Sequence, residues 1–267
     1  MKRLGFVHVL ETLAPRLDSL VLTGGWAWYL YRKYLTGERA LPSEFTLDVD
    51  IVAPRELSGE PVPLDKLLEA GEFESRMEGD ERPPVTRHLW PRGEVPEAIV
   101  EFLTPMRGSG ELATLEIAGV VAQQLRYMDL LLYDPLTLEI DEESDRRRFM
   151  GEVRVPRVGL YVWQKALTFT KRKSTAKRDK DLFYIFDLAD SSRNLIPRIG
   201  NDLALYATST AVGWRKKAAE NLRNECGTVE ARGIGRVLSQ IPEERRPPRR
   251  YVHETFAAMI RLLSGPP

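Results

Sequence analysis

The chain has 267 residues, of which 43% are hydrophobic and 29% charged, and its 39 Lys plus Arg balance its 39 Asp plus Glu. These values fit a packed core in one or two domains and exclude wholesale disorder, while the even charge argues against a large dedicated nucleic-acid footprint. The single cysteine, Cys226, excludes an intrachain disulfide and a thiolate zinc site, and His8, His88 and His253 are too scattered to form a ligand set. No basic-then-apolar leader is read at the start, and no apolar run approaches the ~18 residues of a membrane span, so a cytoplasmic protein with no membrane partner is expected.

Taken in order, residues 4–14 carry apolar positions at helical spacing and stop at Pro15. Residues 19–23 read as a short buried strand that runs into Gly24-Gly25, and 26–35 as the helix after that turn, ended near Gly37. A polar connector over 37–44 leads to a strand over 45–53, closed by Pro54. Residues 54–64 form a proline-bearing loop, 64–70 a helix stopped by Gly71, and 73–77, 86–90 and 98–103 three strands. The charged stretch 141–148 reads as a solvated loop and 153–156 as a short strand. Helical periodicity then marks 159–173, 177–190, 194–207, 212–225 and 252–263, with 242–250 a proline-broken linker. The expected organisation is an α+β sheet domain over 1–135 and a mainly helical domain over 136–267.

Chemistry concentrates at two places in the first part. Strand residues two apart share a face, so Asp48 and Asp50 converge while Val49 and Ile51 turn to the core. Hard oxygen donors in that arrangement suit Mg²⁺ (or Mn²⁺), and a solvent-facing pair is the plain alternative. Upstream, Gly24 and Gly25 allow the backbone close to a phosphate at the start of a helix, and a simple strand-to-helix turn is the competing reading. Thr23 either caps that helix or bonds a phosphate. Glu101 is a lone acid in the apolar run Ile99–Leu103, and burying it asks for a partner, which a metal shared with Asp48 and Asp50 provides.

Gly-Gly, then Asp-x-Asp, then a later strand acid resembles the nucleotidyltransferase superfamily of the DNA polymerase β type. The strings Val100–Gly108, Ala122–Leu132 and Val153–Pro156, with Lys165 and the basic helix Lys177–Leu182, resemble a bacterial and archaeal nucleotidyltransferase subfamily related to the AbiEii-type toxins. The likeness covers roughly residues 20–190. It departs from the commonest pattern in its longer spacing between Gly25 and Asp48, and in Gln164-Lys165-Ala166 where relatives carry His-Lys-Leu. It implies a mixed sheet with flanking helices, followed by a helical domain, with the active site in the cleft between the two.

The implied reaction is metal-dependent transfer of a nucleoside monophosphate from a nucleoside triphosphate to a hydroxyl on a tRNA 3′ end, a protein or a small molecule. In it Asp48, Asp50 and Glu101 are catalytic and bind metal, and Thr23, Gly24 and Gly25 hold the triphosphate. Lys165 and Arg172, about two helical turns apart, with Lys177 and Lys180, offset the charge of the leaving pyrophosphate. An antitoxin partner follows from the toxin-like relatives. A catalytically silent nucleotide- or partner-binding module of the same fold is the alternative, and it usually lacks one of the carboxylates.

Overall fold

The computed structural model describes residues 2–37, 47–57, 62–78, 85–93, 95–108, 113–144, 146–190, 195–206, 208 and 210–265. They fall into two compact units, Met1–Pro156 and Arg157–Pro267. Among the described residues no helix is long and apolar enough to cross a membrane. All but the first residue of the connector expected over 37–44, and the first two residues of the strand expected from 45, lie outside them.

The first unit is built on a seven-stranded mixed sheet. Helix α1 (Lys2–Leu13) buries Phe6, Val7, Val9, Leu10 and Leu13, and yields to a single 3-10 turn at Pro15. Strand β1 (Val21–Leu22) is only two residues long and enters helix α2 (Gly24–Leu30), which continues as a π-helix over Tyr31–Thr36. Gly37, at φ +70, ends it. Strand β2 (Asp48–Val52) and helix α3 (Leu64–Ala70) follow, then β3 (Glu74–Glu78), β4 (Val85–Trp90) and β5 (Ala98–Pro105). Next come β6 (Thr114–Ile117), β7 (Val120–Leu125) and helix α4 (Met128–Leu132).

The strand order is β1-β2-β5-β4-β3, with β7 pairing both β5 and β6. The β2–β5 and β5–β7 pairs are parallel and the others antiparallel. Strand β5 is therefore central. Its first residues lie between β2 and β4, and its last three pair with β7. The apolar run that made Glu101 conspicuous is thus the middle of the sheet rather than an edge facing water.

The charged stretch 141–148 is not a loop. It belongs to a hairpin of β8 (Leu136–Ser144) and β9 (Arg147–Val155), paired in register from Leu136↔Val155 to Ser144↔Arg147. Its charges alternate with an inward row of Leu138, Ile140, Glu142 and Ser144, and only the outward row of Glu139, Asp141 and Glu143 is solvated. Charge density hid a period of two.

The second unit is helical: α5 (Val158–Thr168), α6 (Thr175–Asp190), α7 (Leu195–Leu205), α8 (Ala211–Cys226), α9 (Arg232–Ser239) and α10 (Arg249–Ser264). Helix α9 escapes the periodicity reading because Gly233 and Gly235 look like breakers. Gly233 is needed there, since a Cβ would fall 2.4 Å from both Cys226 Sγ and the Glu225 carbonyl oxygen. The glycine lets α9 lie against the end of α8.

Candidate active site

The turn between β1 and α2 is pinned to β2. The Thr23 N–H donates to the Asp50 carbonyl at 2.9 Å, and Gly24 follows in the left-handed region at φ +63. A Cβ on Gly24 would lie 2.0 Å from Asp50 Oδ2, so the glycine is required twice, by its backbone angle and by the carboxylate seated against it. Thr23 occupies the N-cap position of α2 with extended backbone and is buried, but its hydroxyl makes no cap bond to the helix. Gly25 is half-buried as the second residue of α2.

Strand pairing sets the acids together. Asp48 and Asp50 are half-buried and alternate with buried Val49 and Ile51. Parallel pairing puts Glu101 of β5 beside Asp50, on the same face. On its other side, antiparallel pairing brings Arg87 of β4, whose Nε donates to Glu101 Oε1 at 2.6 Å. The same guanidinium bonds Glu78 of β3 and is held even more firmly protonated by its two carboxylates. The Glu101 carboxyl titrates above its ordinary range. Burial pushes it up first, Asp50 and Asp48 add to the push, and Arg87 opposes them. Arg87 was not singled out from the sequence, because cross-strand register decides its neighbours and an Arg inside a strand carries no mark of its partner.

The basic residues of the second unit make a different arrangement. Lys165 of α5 is 5% exposed, and its ammonium donates to Asp181 Oδ1 at 2.6 Å. Arg172 Nε takes the other oxygen of Asp181 at 2.8 Å. Burial would raise the Asp181 carboxyl, but Lys165 and Arg172 outweigh it and hold it below the ordinary range. The Lys165 ammonium also lies 5.4 Å from the Tyr161 ring centre and 5.8 Å from that of Tyr184, over which Lys180 sits at 5.8 Å. Lys177 is exposed in the first turn of α6, its backbone N–H donating to Ser174 Oγ at 3.3 Å. Lys165, Arg172 and Lys180 therefore gather around Asp181 and Tyr184, while Lys177 stands at the exposed start of α6.

A sequence model of a family described as Nucleotidyltransferase matches residues 5–198. The chain belongs to that nucleotidyltransferase family. A solved structure of an antigenic nucleotidyltransferase-like protein from Paracoccidioides brasiliensis is similar at 15% identity and a TM-score of 0.36, over 94% of this chain and 92% of that one. Comparison with curated proteins finds no match.

The family match spans every candidate residue of this nucleotidyltransferase, from Thr23 to Lys180, and ends before α8 begins. The family usually works with a divalent metal, so the donors need to fit one. Among the described residues no group of three or more His, Cys, Asp or Glu side chains is placed to hold a single ion. Mg²⁺ does not ask for such a cage: it normally takes one or two carboxylates and fills its sphere with phosphate oxygens and water. Asp48 and Asp50, half-buried and on one face of β2, are donors of the kind such a site takes.

Proposed function

We propose that the chain is a Mg²⁺-dependent nucleotidyltransferase that moves a nucleoside monophosphate from a nucleoside triphosphate to an acceptor hydroxyl. The observation that carries the reading is the register of Asp50 with Glu101 beside a glycine in left-handed backbone, seated against the Asp50 carboxylate. Asp48 and Asp50 would hold the ion, which when bound supplies Lewis acidity toward the phosphate oxygens. Gly24, Gly25 and the Thr23 hydroxyl receive the triphosphate at the start of α2. Glu101, kept in place by Arg87, orients the acceptor hydroxyl and takes its proton. A carboxyl raised above its usual range suits that work better than an ordinary one. The acceptor oxygen bonds the α-phosphorus, the α–β bridging bond breaks, and pyrophosphate leaves. Within the second unit, Lys165 and Arg172 fix α6 through Asp181. Catalysis is then mostly positioning and electrostatics.

The acceptor is a tRNA 3′ end, a protein or a small molecule. The relation to AbiEii-type toxins, an antitoxin partner and a cytoplasmic location belong to the same proposal and rest on the sequence strings. The test is to incubate the protein with Mg²⁺ and each labelled triphosphate, with and without cellular RNA and protein. Label should move to one acceptor class, and Asp50→Asn should cut the rate by about 10²–10³-fold, as loss of a charge-stabilising group does. No transfer to any acceptor, or full transfer by Asp50→Asn, ends the reading.

A further inference from the structure

Glu142 has no part in the chemistry above, yet it is a carboxylate only 1% exposed. It stands third in the inward row of β8, after Leu138 and Ile140, where an apolar side chain would escape the cost of desolvating a charge. What the carboxylate adds is direction. Three donors reach it, all from the α2–π-helix segment: Tyr29 OH to Oε2 at 2.9 Å, and Lys33 Nζ at 2.9 Å and Tyr34 OH at 2.8 Å to Oε1. Lys33 and Tyr34 also reach the Asp141 carbonyl oxygen, at 3.1 and 2.8 Å, and the Asp141 N–H donates back to the Tyr34 hydroxyl at 2.9 Å. A further tie joins Tyr31 OH to the Pro156 carbonyl at 2.7 Å, just past the end of β9.

The π-helix is what lets this happen. In an α-helix a residue five places on points well away from the first, so Tyr34 would turn from the face that carries Tyr29. The i→i+5 bonding of Tyr31–Thr36 brings it back, and one carboxylate can hold positions 29, 33 and 34 together. The helix so held is the one whose first residue, Gly24, lies against Asp50.

We infer that Glu142 is a positioning residue of the nucleotide site: by gripping Tyr29, Lys33 and Tyr34 it sets the axis of the helix and keeps Gly24 seated on the Asp50 carboxylate. The inference rests on the reading of Gly24 and Gly25 as the triphosphate turn. Its test combines two measurements on the full chain. The first is the dissociation constant of a non-hydrolysable nucleoside triphosphate analogue with Mg²⁺. The second is amide hydrogen exchange across residues 24–36, which needs no nucleotide.

Glu142→Ala should weaken analogue binding about tenfold, equivalent to about 1.4 kcal/mol, and speed exchange in that segment while the helices of the second unit stay as protected as before. The pair Lys33→Met with Glu142→Gln removes both charges but keeps an acceptor for the tyrosines, and should return binding to within about twofold of the parent. It also supplies a folded variant if Glu142→Ala alone does not fold. Unchanged binding and exchange in Glu142→Ala would overturn the inference. So would equal weakening by both variants with thermal stability lowered in proportion, which marks a purely structural residue. A parent protein that binds no nucleotide defeats the reaction reading instead, and exchange then decides by itself whether Glu142 holds the turn.

Discussion

Two clusters of buried charge sit in the two units, and they are built in opposite senses. Around Glu101, Asp50 pairs alongside and Asp48 lies two residues away on the same strand, while one guanidinium, that of Arg87, bonds Glu101 and Glu78. Around Asp181, two cations close on one carboxylate. Asp181 is buried and the Glu101 side chain is 13% exposed, and burial alone would raise both. Glu101 is raised and Asp181 is lowered, because the sign of the neighbours decides. The Asp181 group, in which two cations hold one buried carboxylate, is a structural joint. In the proposed reaction the carboxylates of the first unit are the ones that would take metal and triphosphate.

The largest test of that contrast removes Asp181. Asp181→Ala leaves the Lys165 ammonium buried without its carboxylate, and should cost about 3–5 kcal/mol in chemical denaturation. If the loss is small, the second cluster is not the joint described here. Gly24→Ala comes next. It forces a side chain into left-handed backbone, at about 1–2 kcal/mol, and into the Asp50 carboxylate, so nucleotide binding should fall further than the change in stability explains. Calorimetry with the triphosphate analogue separates the two losses.

The smallest effect has the opposite sign. Glu101→Gln, measured with chelator present, should raise stability near neutral pH by about 0.5–1 kcal/mol while transfer is lost, as expected where a site is strained for function. The pH dependence follows the same signs. A raised carboxyl binds its proton more tightly folded than unfolded, so Glu101 costs stability at pH above its folded value. That cost is relieved as the pH falls toward the unfolded value. Asp181 behaves in reverse: its contribution is in place above the ordinary carboxylate pKa and is lost as the pH falls through its lowered folded value. Urea titrations from neutral to acid should show the gain missing in Glu101→Gln and the loss missing in Asp181→Asn.

Much of this architecture was readable from residue order because it is local. The helix over 64–70 announces itself by its apolar spacing, proline entry and glycine stop, and it forms with those bounds. Asp48 and Asp50 share a face by the parity of a strand, and the partial burial of Glu101 follows from the apolar residues on either side of it. What could not be read depends on partners distant in the chain. Arg87 meets Glu101 only through strand register, and Glu142 vanished among Asp141, Glu143 and Arg148 because a dense outward charge row masked the inward one. Helix α9 was lost to Gly233, whose reason is a neighbour on α8. Local rules find elements; pairing finds the site.

The contact between Gly24 and the Asp50 carboxylate also has a consequence for descent. The two positions are constrained as a pair, so substitution at one changes what is tolerated at the other. A lineage that gives up Asp50 for a smaller side chain loses one of the two demands for glycine at 24, the left-handed backbone keeping the other, and one that gains a side chain at 24 can keep Asp50 only by displacing its carboxylate. Among relatives, a residue other than glycine at this position should therefore go with a changed residue, or a displaced carboxylate, at position 50.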